Sequence, residues 1–150
     1  MNERVIYERR QIGWTMIGAL LFGVLVRSAA LARSPRKKKA ARIAAVVNVA
    51  SGLIMAFSTL TVRVTDRSIA WWFTLPALGR RLALDDIASV SAVRTSFLEG
   101  WGIHLTWHGW VWNVSGFNAV QITLRSGTRF AIGTSEPQVL IDAVQRAREG

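Results

Sequence analysis

Two uncharged apolar runs near the start of the chain constrain its fold more than any other feature. Residues 11–26 and residues 43–62 contain no charged side chain. An α-helix rises about 1.5 Å per residue, so about 20 residues cross the ~30 Å hydrocarbon core of a bilayer. The second run has that length, and the first reaches it if the helix continues through Arg27 to residue 32. We therefore predict two transmembrane helices, at about residues 11–32 and 43–62. A signal peptide is the weaker alternative for the first run, because no small-residue cleavage site follows it promptly.

The basic residues gather around these two runs. Residues 1–60 contain ten Lys or Arg and two acids, whereas residues 61–150 contain nine Arg and seven acids. Basic residues that flank apolar runs indicate a membrane rather than nucleic acid. Short loops rich in Lys and Arg stay in the cytoplasm, which predicts that the loop 33–42 is cytoplasmic. A charge run of this kind is usually a solvated loop, and its basic cluster could also hold anionic head groups at the membrane surface. That cluster consists of Arg36, Lys37, Lys38 and Lys39.

From residue 58 onward the pattern is typical of β-structure. Short β-rich segments are separated by turn residues about every eight to twelve positions, including turns at residues 66–67 and 126–127. About seven strands of this kind predict an all-β sandwich or barrel. At the end of the chain, apolar residues recur at helical spacing from Leu140, and Ser135 with Gln138 forms a predicted capping box. The chain thus divides into residues 1–60, a tail with a helical hairpin, and residues 61–150, a β-rich domain closed by a helix.

Residues 100–116, GWGIHLTWHGWVWNVSG, contain four of the seven tryptophans and both histidines. We predict a β-hairpin with its turn at His108–Gly109, because glycine supplies the positive φ that such turns need. Side chains alternate along a strand, so most of the tryptophans share one face, and His104 lies on the other. The predicted cross-strand pairs are Trp107 with Trp110, Leu105 with Trp112, and Ile103 with Val114.

Residue types that carry chemistry are sparse. The chain has no cysteine, which excludes disulfides, thiolate metal sites and cysteine nucleophiles. The two histidines lack a third ligand, and the adjacent Asp85 and Asp86 point apart on an extended chain, as turn residues do. Nucleophile-elbow, phosphate-loop, dinucleotide and HExxH patterns are absent from the sequence. We predict a protein that is not an enzyme and holds no metal or cofactor.

The order of segments in residues 60–144 resembles the bacterial pleckstrin-homology-like (bacterial PH) domain membrane proteins. The resemblance rests on LTVRVTD, RRLALDDIASVSAVR, GWGIHLT, GWVWNVSG and AVQITLRSGTRFAIGTSEPQVLIDAV. It implies a membrane-anchored α+β protein: two transmembrane helices followed by a seven-stranded antiparallel sandwich that a C-terminal amphipathic helix caps. It also implies a multi-pass protein of the bacterial inner membrane, with the side on which the PH-like domain lies left open. Eukaryotic relatives bind phosphoinositides around the first hairpin loop, which here is only residues 66–67.

The predicted function is that of a non-enzymatic integral membrane protein whose PH-like domain binds or assembles proteins at the membrane surface. Its predicted partners are membrane lipids through the two helices and a protein partner or second copy, with no nucleic acid. The alternative function is that of a module that binds or senses anionic lipids at the membrane surface. The candidate contact residues are Arg63, Arg67, Arg80, Arg81, Arg94 and His104.

Overall fold

The computed structural model describes residues 3–33, 37–95, 102–107 and 109–150, with only the backbone at residues 30, 33, 37 and 40. Within these residues the chain forms nine strands, three α-helices and one 3₁₀ turn. The elements are β1 (Val5–Ile12), α1 (Trp14–Arg33), α2 (Lys37–Ala56), β2 (Thr59–Thr65), β3 (Ser68–Phe73), β4 (Gly79–Ala83), the 3₁₀ turn (Leu84–Asp86), β5 (Ile87–Arg94), β6 (Gly102–Thr106), β7 (Gly109–Asn113), β8 (Asn118–Leu124), β9 (Arg129–Gly133) and α3 (Pro137–Glu149).

The strands form two sheets. Sheet A has the order β1-β2-β3-β4, and sheet B has the order β5-β8-β9-β7-β6. All neighbouring strands are antiparallel except β7 and β9, which are parallel. Successive side chains of a strand point to opposite faces, so alternate residues of β2, namely Leu60, Val62 and Val64, enter the core. The predicted turns at residues 66–67 and 126–127 are confirmed, since they join β2 to β3 and β8 to β9.

Aromatic side chains join the two sheets. Trp71 of β3 packs edge-on against Trp112 of β7, with ring centroids 5.5 Å apart and an interplanar angle of 77°. Phe130 of β9 lies 5.8 Å from both indole rings. Edge-to-face aromatic pairs contribute about 0.5–1.5 kcal/mol beyond their burial. The three rings therefore hold sheet A against sheet B.

Helix α3 lies where the sequence predicts it, but its start differs from the prediction. Glu136 is the N-cap residue and makes no side-chain capping bond. Its backbone N–H donates instead to Thr134 Oγ1 at 3.1 Å, and Gln138 Nε2 donates to Asp142 Oδ1 at 2.9 Å. The predicted capping box of Ser135 and Gln138 is wrong, because Gln138 bonds forward along the helix. The apolar stripe that faces the core consists of Leu140, Ile141, Ala143, Val144 and Ala147.

Helices α1 and α2 form a hairpin inserted between two neighbouring strands of sheet A. Strand β1 runs antiparallel to β2, and its last residue, Ile12, pairs with Thr59. At the base of the hairpin, the Gly13 N–H donates to the Ser58 carbonyl at 2.8 Å. Midway along it, Arg27 Nη1 donates to Asn48 Oδ1 at 2.7 Å. The helical hairpin thus replaces the tight turn that would otherwise connect two adjacent strands.

Within the described residues, no helix is both long enough and apolar enough to cross a membrane. The prediction of two transmembrane helices is therefore wrong. So are the predictions that depend on it: lipid partners held through those helices, and a multi-pass location in the inner membrane. The physical reason is that the uncharged runs do not coincide with the helices. The first run begins inside β1 and the second ends inside β2, while α1 includes Arg27 and α2 begins in the basic cluster.

The predicted number and arrangement of strands also need correction. The described residues form nine strands rather than seven, and residues 5–12, predicted as a tail, are a strand of sheet A. The parallel pairing of β7 with β9 departs from a purely antiparallel sandwich. The fold is an α+β arrangement of two sheets and three helices. The predicted division of the chain at residue 60 falls inside β2.

Substitution of two glycines that have left-handed φ angles tests how closely β7 and β9 approach each other. Gly109 has φ +90°, and a Cβ there would meet the Arg129 carbonyl, whereas Gly127 has φ +87° and open space around it. We expect Gly127→Ala to lower the free energy of unfolding by about 1–2 kcal/mol, the cost of a left-handed conformation. Gly109→Ala should lower it by about 3 kcal/mol or more, because a steric clash is added. Urea denaturation measures both, and equal losses would contradict the close approach of these strands.

Candidate functional site

The helical hairpin leaves much of its apolar surface exposed. Phe22 of α1 is 69% exposed, and Val46 and Val49 of α2 are 69% and 67% exposed. Large exposed apolar patches mark sites of interaction. We call this set the hairpin surface. It consists of Trp14, Leu21, Phe22, Val24, Leu25, Val26, Leu31, Ile43, Val46, Val49, Leu53 and Met55.

The end of the hairpin that lies away from the sheets is basic. Lys38, Lys39 and Arg42 of α2 are exposed, and Lys37 is the first residue of that helix, although its side chain is not described. Arg36 of the predicted basic cluster lies outside the described residues. The first turn of α2 contains no acidic residue. Cations at a helix N-terminus oppose the helix dipole, so a nearby anion would stabilise this end.

At its base, the hairpin surface continues into a cleft beside sheet B. The cleft has a volume of about 430 Å³ and lies between the two helices and β6. Met16, Leu53 and Phe57 line its helical side, and Gly102 and Ile103 line the strand side. The apolar surface is therefore not confined to the helices.

The outer face of sheet A carries a second, polar hollow of about 430 Å³, in which two of the predicted contact residues meet. Arg63 of β2 forms an ion pair with Glu8 at 2.8 Å, and its guanidinium lies 5.2 Å from the centroid of the Trp72 ring. Arg81 of β4 forms an ion pair with Glu3. The structure thus brings Arg63 and Arg81 to one hollow, each beside a carboxylate.

Three donors converge on the Glu3 carboxylate, and we call this group the Glu3 site. Oε2 accepts hydrogen bonds from Thr65 Oγ1 at 2.8 Å and from Ser68 Oγ at 3.1 Å. Oε1 accepts from the Arg81 guanidinium. The hydrogen bond from Thr65 has the largest effect and lowers the pKa of Glu3; desolvation, the next largest, opposes it, and the Ser68 bond and the Arg81 charge lower the pKa further. The site therefore favours a negatively charged group.

The other predicted contact residues are dispersed. Arg67 is exposed in the turn between β2 and β3, and Arg94 is exposed at the end of β5. Arg80 lies on the opposite face of β4 from Arg81, with its guanidinium 5.0 Å from the centroid of the Phe130 ring. His104 lies in β6 of sheet B. None of these four residues lines the hollow that holds Arg63 and Arg81, although the Arg67 N–H donates to Thr65 Oγ1 at 3.3 Å.

The tryptophan-rich window forms a β-hairpin, as predicted, but in a different register. Gly109 belongs to β7 and pairs with Thr106, and His108 of the predicted turn lies outside the described residues. Trp112 is buried in the core, whereas Trp107 is 82% exposed and Trp110 is half-exposed. The aromatic face is thus buried at one end of the hairpin and exposed at the other. The observed pairs are Ile103 with Trp112, Leu105 with Trp110 and Thr106 with Gly109, so the predicted pairs are wrong by two residues.

Asn113, in the GWVWNVSG segment, has a structural role. It is buried, its Oδ1 accepts from the Ser115 N–H at 3.1 Å, and its Nδ2 donates to the Gly116 carbonyl at 3.0 Å. Asp85 and Asp86 lie in the 3₁₀ turn before β5. Among the described residues, no three His, Cys, Asp or Glu side chains are grouped so that they could hold a metal ion.

The residues that sequence reasoning missed are Glu3, Thr65 and Ser68. Thr65 and Ser68 flank the predicted turn at residues 66–67, and a two-residue turn brings such neighbours within hydrogen-bonding distance. That signal was present in the sequence. Glu3, however, is 62 residues from Thr65, so no local pattern connects them.

Comparison with known proteins found no matching family model, no similar curated protein and no similar solved structure. The resemblance to the bacterial PH-like proteins therefore stays a prediction. The proposals about function therefore rest on the hairpin surface, its basic end and the Glu3 site.

The Glu3 site makes a prediction about protonation. Because Thr65 is the main cause of the lowered pKa of Glu3, Thr65→Val should raise that pKa toward the ordinary value of 4.5. Thr61→Val is the matched control, since Thr61 is also buried on β2 and is not one of the three donors to Glu3. Nuclear magnetic resonance titration of the Glu3 carboxyl measures both; equal pKa values in wild type and Thr65→Val would contradict the assignment.

The sign of the stability effect follows from the same shift. A carboxyl whose folded pKa is lowered stabilises the fold at pH above its unfolded pKa, and this contribution is lost as the pH falls through the folded pKa. As the pH falls, the free energy of unfolding of wild type should therefore decrease more than that of Thr65→Val, in which most of this contribution is already absent. Urea denaturation at a series of pH values measures this difference.

Proposed function

We propose that this chain is a non-enzymatic assembly module in which the hairpin surface of one copy packs against that of a second copy. The observation that carries the proposal is the set of twelve large apolar side chains that α1 and α2 leave exposed. Helices that are apolar on several faces are normally buried against other elements. Here the two helices cover only part of each other's surface.

The exposed area is large enough for a stable interface. A standard protein interface buries about 800 Å² on each partner. The twelve large side chains are 36–72% exposed, and their combined exposed area is of that order, spread over more than one face of the two helices. Assembly would remove this surface from water, which stabilises the complex by about 25 cal/mol for each Å² of apolar area, before the costs of association.

The positions of these side chains support pairing between copies. Val46, Val49 and Leu53 lie at i, i+3 and i+7 of α2 and therefore share one helical face. Two such hairpins can pack as a four-helix bundle. An antiparallel arrangement would place the two basic ends about 30 Å apart, because each helix has 20 residues. This arrangement avoids repulsion between the clusters around Lys38 and Lys39.

Val49→Glu tests the assembly. It places a charge in the proposed interface, so we expect the dimer dissociation constant to rise at least 100-fold, because burial of an unpaired charge is costly. Leu75→Glu is the matched control, since Leu75 is also an exposed apolar residue but lies between β3 and β4. Sedimentation velocity over a range of protein concentrations measures the mass. A wild-type protein that stays monomeric at every concentration would refute the proposal.

A second candidate function is binding of an anionic lipid surface by the basic end of the hairpin. Three observations favour it: Lys38 and Lys39 are exposed, they lie at a helix N-terminus where a cation is unfavourable, and residues 9–65 contain no Asp or Glu. Each basic residue near an anionic surface contributes about 1 kcal/mol. This function needs only contact of the hairpin end with the lipid head groups.

The double variant Lys38→Gln/Lys39→Gln tests the lipid function. Loss of two charges should weaken binding to vesicles of phosphatidylglycerol and phosphatidylcholine about 30-fold. Arg146→Gln/Arg148→Gln is the control, because it removes two exposed charges from α3. Co-sedimentation with the vesicles measures binding, and pure phosphatidylcholine vesicles show the charge dependence. Equal losses in the two double variants would mean that net charge, rather than the hairpin end, determines binding.

A further inference from the structure

We infer that the Glu3 site is an anion-binding site, that the chain's own Glu3 occupies it, and that it binds a phosphate group when Glu3 is displaced. The site lies in the hollow on the outer face of sheet A. The inference does not depend on the assembly or the lipid function proposed for the hairpin. The two sites lie at opposite ends of β2, because Thr59 is next to the hairpin and Thr65 belongs to the Glu3 site.

The donors of the site are held in place by the sheet and not by Glu3. Thr65 and Ser68 are only 6% and 5% exposed. Thr65 Oγ1 accepts from the Ser68 N–H at 3.0 Å, and Ser68 Oγ accepts from Arg81 Nε at 3.1 Å. Both hydroxyls donate to Glu3 Oε2, so an anion in place of Glu3 can accept the same two hydrogen bonds, although the Ser68 carbonyl, 3.1 Å from Thr65 Oγ1, competes for the Thr65 proton. A preorganised set of donors binds its ligand with little ordering cost.

Glu3 resembles a bound ligand in this arrangement. It lies on the segment before β1, and two hydroxyls and one guanidinium contact both of its carboxylate oxygens. Next to it, the Asp66 N–H donates to the Arg4 carbonyl at 3.1 Å and the Arg4 N–H donates to Asp66 Oδ1 at 3.3 Å, which holds the segment against the turn. A carboxylate and a phosphate are bound by the same donors, since both accept charge-assisted hydrogen bonds from arginine.

A phosphate has features that the site can use and Glu3 cannot. It carries up to two negative charges and offers three or more oxygens, whereas a carboxylate offers one charge and two oxygens. Arg63 lines the same hollow and is paired with Glu8. A phosphate in place of Glu3 would thus lie near a second guanidinium. The ligand class is therefore a phosphate group, either free or at the end of a lipid.

Glu3→Ala tests the inference, because it empties the site without removing a donor. We expect this variant to bind inorganic phosphate at least tenfold more tightly than wild type, measured by calorimetry in a phosphate-free, low-salt buffer. Glu149→Ala is the matched control: it removes one exposed carboxylate at the end of α3, outside the hollow, and leaves Glu3 in the site. The gain should disappear in Glu3→Ala/Arg81→Gln, which lacks the guanidinium donor.

A second arm distinguishes the two sources of phosphate. Vesicles of phosphatidylcholine with and without phosphatidic acid are offered to the full chain, and Glu3→Ala is compared with wild type and Glu149→Ala. A gain that appears with phosphatidic acid supports a lipid phosphate, and a gain with inorganic phosphate alone supports a soluble one. If Glu3→Ala fails to fold, Glu3→Gln keeps the side-chain shape and should give a smaller gain of the same sign.

The inference is overturned if folded Glu3→Ala, or Glu3→Gln in its place, binds both probes no more tightly than wild type. It is also overturned if Glu149→Ala gives the same gain, because the effect would then be one of net charge. Retention of the full gain in Glu3→Ala/Arg81→Gln would likewise show that phosphate binds elsewhere.

Discussion

The edge-on contact of Trp71 with Trp112 is the interaction on which the rest of the structure depends. Trp71 belongs to sheet A and Trp112 to sheet B, and Phe130 packs against both rings. Each large aromatic side chain buries about 150–250 Å², so these three supply much of the apolar area between the sheets. Arg80 extends the cluster, since its guanidinium lies over the Phe130 ring. Sheet A packs on this core, and its strands carry the Glu3 site and flank the helical hairpin.

Strand β2 connects the two surfaces. One end of it, at Thr59, is next to the base of the helical hairpin, and the other end, at Thr65, supplies a donor to the Glu3 site. A strand of seven residues spans about 20 Å, so the two surfaces are well separated. They also differ in kind, because the hairpin surface is apolar with a basic end and the Glu3 site is a small polar hollow. Each can therefore bind its own partner without involving the other.

Much of the β-rich part could be predicted from the sequence, but the first sixty residues could not. Alternating apolar residues and two short turns identify strands such as β2, β3, β8 and β9, because each of these signals is local. The absence of charge from residues 11–26 carries no information about where a helix begins, and Ile12 ends a strand while Trp14 starts a helix. Strand β1 was missed because charged side chains on its exposed face obscure the pattern. The register of the tryptophan hairpin was wrong because Gly109, taken as a turn residue, belongs to β7 and lies against Arg129.

The sequence by itself determined the amphipathic helix α3, most of the strand segments after residue 58 and the basic cluster between the two apolar runs. These features depend on the types and spacing of residues that are close together in the chain. Only the tertiary structure decided that residues 5–12 join sheet A, that β7 runs parallel to β9, and that Glu3 reaches Thr65, Ser68 and Arg81. Glu3 and Arg81 are 78 positions apart, and contacts of this kind form only when the whole chain packs. Which apolar residues are buried was likewise decided by the packing of the two sheets, which places Trp112 in the core and leaves Trp107 82% exposed.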